Sequence, residues 1–140
     1  MKTEIFVIAE NANLTEDKKI NIFAIFNRIL AAQFPTIYAR PTIVIKLALE
    51  LGERATNRKV TLYFAGEDNN VQQVKMMDQI VEFPPRVGGL NPDTVIILNV
   101  NAIGFEKPGT YQFILHVDDN FQASLLIYAE RVQQVSQLGG

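Results

Sequence analysis

The sequence predicts an all-β domain: an immunoglobulin-like β-sandwich of two antiparallel sheets with about seven to eight strands in all. Three observations carry that prediction. Apolar residues recur with a period of two along most of the chain, as in strands that alternate between a core and a second environment. Clusters of Gly, Pro, Asn and Asp separate the apolar runs at the spacing of hairpins, with no convincing βαβ crossover between them. The chain of 140 residues, 48% hydrophobic and 20% charged, can bury one core without disulfides or metal, and it contains no Cys.

Taken in order, Glu4 to Ala9 is apolar at nearly every position, which predicts a strand covered on both faces in the middle of a sheet. Ile20 to Phe34 fits two patterns. Ile22, Phe23, Ile25, Phe26, Ile29 and Leu30 recur at helical spacing, yet β-branched and aromatic residues crowd the first half, and a strand from Ile20 to about Leu30 is the preferred reading. Ile43, Ile45, Leu47, Leu49 and Leu51 share one face of a half-buried strand whose other face carries Val44, Lys46, Ala48 and Glu50. Val60, Leu62 and Phe64 alternate with Thr61 and Tyr63. Val71 to Phe83 again divides between helix and strand, and the stop at Pro84-Pro85 favours strand. Thr94 to Ile103 repeats the all-apolar character of the first run and is expected mid-sheet. Tyr111 to Val117 and Phe121 to Ala129 alternate around Asp118-Asp119-Asn120, which predicts a tight hairpin. Pro108-Gly109-Thr110-Tyr111 has the form of the entry to strand F of immunoglobulin-like sandwiches, where a Tyr hydroxyl bonds back to upstream backbone; no paired Cys or core Trp accompanies it. The whole chain, 1–140, reads as one domain with a flexible tail from about residue 133.

Composition removes most familiar chemistry. Without Cys there is no thiolate nucleophile, redox pair or zinc–thiolate site, and the single His116 leaves no His cluster. No cofactor is expected. A formal net charge of −2 and a pI near 5.4 argue against a nucleic-acid or anionic-membrane binder. The opening Met1-Lys2-Thr3-Glu4 lacks the form of a signal peptide, and no run approaches the length of a membrane span, so a cytoplasmic location is expected.

Glu4-Ile5-Phe6-Val7-Ile8-Ala9-Glu10-Asn11-Ala12, then Lys19-Ile20-Asn21-Ile22-Phe23-Ala24-Ile25-Phe26-Asn27-Arg28-Ile29 with Phe34-Pro35, and Pro108-Gly109-Thr110-Tyr111-Gln112-Phe113 leading to Val117-Asp118, resemble an uncharacterised family of small bacterial proteins classed as a domain of unknown function. The resemblance spans essentially the whole domain. It implies an all-β fold and a bacterial, cytoplasmic protein, and it supplies no activity, ligand or catalytic residue. The polar, Met-containing end of the fifth segment departs from the pattern.

Strand direction suggests where recognition would sit. If successive strands alternate in direction, the connections Asn11 to Lys19, Gly52 to Lys59, Pro84 to Pro92 and Asp118 to Asn120 gather at one end, bringing Lys18 and Lys19 toward Arg54, Arg58, Arg86, Asp118 and Asp119. The last five are the candidate binding residues. Three functions compete. The favoured one is a non-enzymatic protein-binding or assembly module, with a protein partner or a homodimer covering outward apolar residues such as Ile114, Leu126 and Tyr128. A small carboxylate-dependent hydrolase or lyase would draw on Asp118, Asp119 and Glu16 or Asp17. A conjugated modifier would use the terminal Gly139-Gly140. The Gly88-Gly89 turn and Asp118-Asp119-Asn120 lack the spacing of a phosphate loop or a calcium loop and read as connections.

Overall fold

The structure, a computed structural model, describes residues 1–54, 56–66, 73–86 and 88–133. These residues form eleven strands: β1 (Lys2–Leu14), β2 (Ile20–Phe26), β3 (Arg28–Ala31), β4 (Thr36–Ala39), β5 (Thr42–Ala48), β6 (Arg58–Gly66), β7 (Val74–Val81), β8 (Asp93–Asn99), β9 (Ala102–Phe105), β10 (Gly109–Val117) and β11 (Asn120–Arg131). They pair as a four-stranded sheet in the order β2-β1-β5-β8, a five-stranded sheet in the order β3-β11-β10-β6-β7, and a two-stranded ribbon of β4 and β9.

The all-β class is as predicted, and the two ambiguous segments form strands over Ile20–Phe26, Arg28–Ala31 and Val74–Val81, with no helix among their described residues. The strand number and the wholly antiparallel pairing need correction. The run from Ile20 to Leu30 changes partner within itself: β2 pairs with β1 as far as Phe26, and from Arg28 the chain lies parallel to β11 as β3. Likewise Thr94 to Ile103 is cut by a bend. There β4 and β9 carry on the ladder of β5 and β8, with the Arg40 amide donating to the Asn101 carbonyl at 2.9 Å and the Val100 amide to the Pro41 carbonyl at 3.0 Å. A positive φ of 56° at Arg40 makes the corner. Alternation of apolar residues reports which way side chains point and is blind to a change of partner. The expected position of Thr94 to Ile103 is also corrected: β8 is an edge strand, whereas β1 is interior as expected.

One apolar cluster draws on both main sheets, including Ile43, Ile45 and Leu47 of β5, Val60 and Leu62 of β6, Phe113 and Leu115 of β10, and Ile127 of β11. β5 is more enclosed than a half-buried strand, because Thr42, Val44 and Ala48 on its other face are buried too. The predicted hairpin of β10 and β11 is present, turning at Asp118 and Asp119 with φ of 50° and 64°.

Where β9 leads into β10, Phe105 stands edge-on to Tyr111 at 4.9 Å, and Phe64 stacks on Tyr111 at 5.7 Å and meets Phe105 at 5.8 Å, closing a triangle of rings. Held there, the Tyr111 hydroxyl donates to the Lys107 carbonyl at 2.7 Å and accepts from the Lys107 amide at 3.3 Å. This is the bond back to upstream backbone that the sequence predicts. Tyr111→Phe leaves the ring packing intact and strands both backbone groups, so chemical denaturation should show a loss of about 1–2 kcal/mol with an unchanged denaturant slope.

Candidate functional site

At one end of the sandwich the loop between β5 and β6 meets the β10–β11 turn and the connection from β7 to β8. Arg58, the first residue of β6, lies 3.1 Å from the Asp118 carboxylate and 3.7 Å from that of Glu53, and its guanidinium also donates to the Arg54 carbonyl at 3.4 Å. Its Nε is buried with no partner among the described residues. Asp118 also accepts from the Lys59 amide at 3.0 Å, and Asp119 pairs with the Lys59 ammonium at 3.0 Å. Arg86 donates to Asn91 at 2.6 Å, to the Glu53 carbonyl at 3.3 Å and to the Glu50 carbonyl. Glu53 completes the rim by accepting from the Glu50 amide at 2.9 Å and from the α-amino group of Met1.

The five candidate binding residues are thus brought to one end, as strand direction suggests. Four of them, Arg58, Arg86, Asp118 and Asp119, form bonds that tie the loops to one another, and Arg54 joins through its carbonyl. Glu53 is the member that the sequence reading passed over. Its neighbour Arg54 carries the louder signal, and nothing in the spacing shows that a carboxylate two residues after Leu51 would turn inward to meet Met1 and Arg58.

Lys18 and Lys19 reach the same side by another route. Because β1 runs antiparallel to β5, with Lys2 opposite Ala48 and Ala9 opposite Thr42, the β1–β2 turn would point to the far end if β1 ran straight. Instead, Leu14, Lys18, Lys19 and Ile20 line a groove of about 840 Å³ together with Lys46, Glu82–Pro85 and Asp93–Val95. The arm beyond Ala9 therefore doubles back along the outer side of the four-stranded sheet.

The outer face of the five-stranded sheet carries apolar and aromatic side chains, with Gln112 opposite Leu126 and Ser124 opposite Ile114 among them. Ile114 lies opposite Tyr63, whose ring meets His116 edge-on at 5.3 Å, and His116 faces Phe121 at 6.5 Å. Leu126 and Tyr128 continue the patch and are 44% and 37% exposed, with Phe121 at 65%. Ion pairs stand around it: Lys59 with Asp119, Lys75 with Asp78 at 3.2 Å, and Arg28 with Glu130 at 3.3 Å.

The neighbours of the rim carboxylates favour their charged forms. The Lys59 amide, then Arg58, hold the Asp118 carboxyl below its ordinary value of 3.8. The Met1 α-amino group and the Glu50 amide do the same for Glu53. Among the described residues no group of three or more His, Asp or Glu is placed to hold a metal ion. The sign of the pH dependence follows: both folded pKa values lie below the unfolded ones, so this stabilisation is complete above the ordinary carboxylate range and is lost as pH falls through it. Urea midpoints should decline from about pH 5 downward. Asp118→Asn should cost about 1 kcal/mol or less at pH 7, since the pair is partly exposed, and should flatten the acid limb of that profile.

No curated protein matches the chain. Among solved structures it is similar to a superoxide reductase (neelaredoxin) from Ignicoccus hospitalis at 18% identity, with 91% of this chain and 82% of that chain covered and a TM-score of 0.33. A single-residue variant of that reductase matches at 19% identity over 75% of each chain, with a TM-score of 0.35. At that level neither activity nor metal passes from those proteins to this chain. The sequence match is of a different order: residues 4–130 fit one family from β1 to β11, and the chain belongs to DUF6941, a family of unknown function.

Proposed function

We propose that the protein is a non-enzymatic assembly module that binds a second copy of itself through the outer face of its five-stranded sheet. The observation that carries this reading is the apolar patch of Ile114, Leu126, Tyr128 and Phe121 with the Tyr63–His116 contact beside it. Exposed apolar side chains gain by being covered, and a standard protein interface covers roughly 800 Å² per partner. The charges around the patch are already paired within the chain, so they leave little field to select a charged partner. A face that is neutral and apolar is complementary to itself across a two-fold axis. An immunoglobulin-like architecture, supported by the Tyr111 bond, and a cytoplasmic location in a bacterium belong to the same reading.

The hydrolase alternative finds less support. Asp118 and Asp119 are committed to Arg58 and Lys59, and the lowered pKa of Asp118 is the reverse of what a general acid needs. Of the alternatives Glu16 and Asp17, Asp17 accepts from Thr15 and pairs with Lys19 in the β1–β2 turn. Gly139-Gly140, on which the modifier alternative rests, lies outside the described residues, as does Val71 of the fifth segment.

Sedimentation velocity at micromolar concentration tests the proposal. The wild-type chain should sediment as a dimer, and Leu126→Glu with Tyr128→Glu should sediment as a folded monomer with an unaltered β-type circular dichroism spectrum. A wild-type chain that is monomeric at about 100 μM, weaker than a standard-size interface normally delivers, overturns it.

A further inference from the structure

Beyond Ala9 the chain leaves β5 and continues as a hairpin with β2, and that hairpin is broken at its root. The ladder joins Ile8 with Phe26 and Ala9 with Ile25, omits Glu10 with Ala24, and resumes at Asn11 with Phe23. In the gap Ala24 takes a φ of 56°, within the left-handed region that residues bearing a side chain seldom enter. Past the gap the arm is braced. The Thr15 amide donates to the Lys19 carbonyl at 2.8 Å, the Lys18 amide to the Thr15 carbonyl at 3.0 Å, and the Asn21 side chain to that of Asn13 at 3.0 Å. A hairpin braced at its tip and broken at its root moves as one piece about the break. From Glu10 to Thr15 is about 16 Å, so a rotation of about 15° carries the tip about 4 Å.

The groove of about 840 Å³ lies between this arm and the body of the sandwich, and its two walls match. Leu14 and Ile20, paired at the end of the arm, line one side, with Leu14 46% exposed. Pro84, Pro85 and Val95 line the other. The charges in the groove are of two kinds. Lys46 is held by Glu4 and Asp93 at 3.6 and 3.8 Å, and Lys19 by Asp17 of its own turn at 3.2 Å. Lys18 on the arm and Glu82 on the body also line the groove, and neither has an ion pair among the described residues.

We propose that the β1–β2 arm is a strap that swings about Glu10 and Ala24 to close this groove, seating Leu14 and Ile20 on Pro84 and Val95 while Lys18 pairs with Glu82. Closure takes apolar surface of both walls out of water, and the ion pair fixes where the arm lands. Asp93, Thr94 and Val95 line the same groove, so the closed strap covers the start of β8, an edge of the four-stranded sheet, with residues of its own chain. An edge covered in this way is withheld from strand addition by other chains. The strap lies on the other main sheet from the proposed self-association face and does not depend on it.

Because the chain contains no Cys, engineered thiols report on the strap alone. Leu14→Cys with Pro84→Cys puts one thiol on each wall, and a disulfide between them needs their Cα atoms within about 7 Å. Under mild oxidation the full chain should form this bond within one molecule, seen as a monomer of altered mobility on a non-reducing gel. Adding Lys18→Glu replaces attraction to Glu82 by repulsion and should slow bond formation at least about threefold, and adding Glu82→Lys to that variant should restore the rate. Ile20→Cys with Val95→Cys serves as the trap if the first pair alters the circular dichroism spectrum. The proposal is overturned if the thiols of the folded chain stay reduced, if the bond forms only between chains, or if its rate is indifferent to the charge at position 18.

Discussion

β1 serves two partners in succession, and most of the molecule is arranged by that division. From Lys2 to Ala9 it forms a ladder with β5, and from Ile8 to Leu14 it forms one with β2, so Ile8 and Ala9 belong to both. Up to that point β1 is an interior strand whose inward residues join the core. Beyond it the strand carries β2 away as an arm that returns along the outside of its own sheet. Burial of Thr42, Val44 and Ala48 on the outer side of β5 fits that return. The chain then has to recross: Asn27 gives its carbonyl to the Tyr128 amide at 2.8 Å, and the following residues become the parallel edge β3 of the opposite sheet. The groove, the enclosed central strand and the parallel pair are consequences of one strand changing neighbours.

At the opposite extreme from this shared ladder is the rim, where polar bonds hold together loops that the ladders leave free. Arg58 starts β6, yet it reaches the β10–β11 turn through Asp118 and the β5–β6 loop through Glu53 and the Arg54 carbonyl. Arg86 ties the connection between β7 and β8 to that same loop. A planar guanidinium with several donors in fixed directions suits this better than an ammonium, because one side chain serves two or three acceptors at once. Such pairs are individually modest where water reaches them. Their effect lies in fixing the relative positions of loops that belong to different sheets.

Much of this was legible in the sequence, and the limits of legibility have physical causes. Strand identity came through clearly from Tyr111 to Ala129, where one face is more buried than the other and each strand keeps the same neighbours over most of its length. The Tyr111 bond was equally visible, since a Pro-Gly-Thr-Tyr entry fixes both the ring and the carbonyl it reaches. Partner exchange left no trace: Phe26 and Ile29 look like members of one strand because both are apolar at compatible spacing, although they serve different sheets. The edge position of β8 was hidden as well. An edge strand packed on one side by Ile96 and bordered on the other by Lys46 and the arm needs as many apolar residues as an interior one. At the rim the residue types were right, but their use was not evident, because clustered opposite charges have the same composition whether they bind a partner or one another.

Counting acceptors and donors in place, rather than charges, shows how most of these groups are used within the chain. Asp118 meets an amide and Arg58, Asp119 meets Lys59, and Arg86 meets Asn91 and two carbonyls. Polar groups already satisfied at home gain little from a new partner, since any bond formed replaces one that is lost. Apolar groups are the reverse. Phe121, Leu126 and Tyr128 have water as their alternative, so covering them is favourable whatever else the chain does. In this fold the bonded polar end ties loops together, and exposed apolar side chains lie on the outer face of the five-stranded sheet.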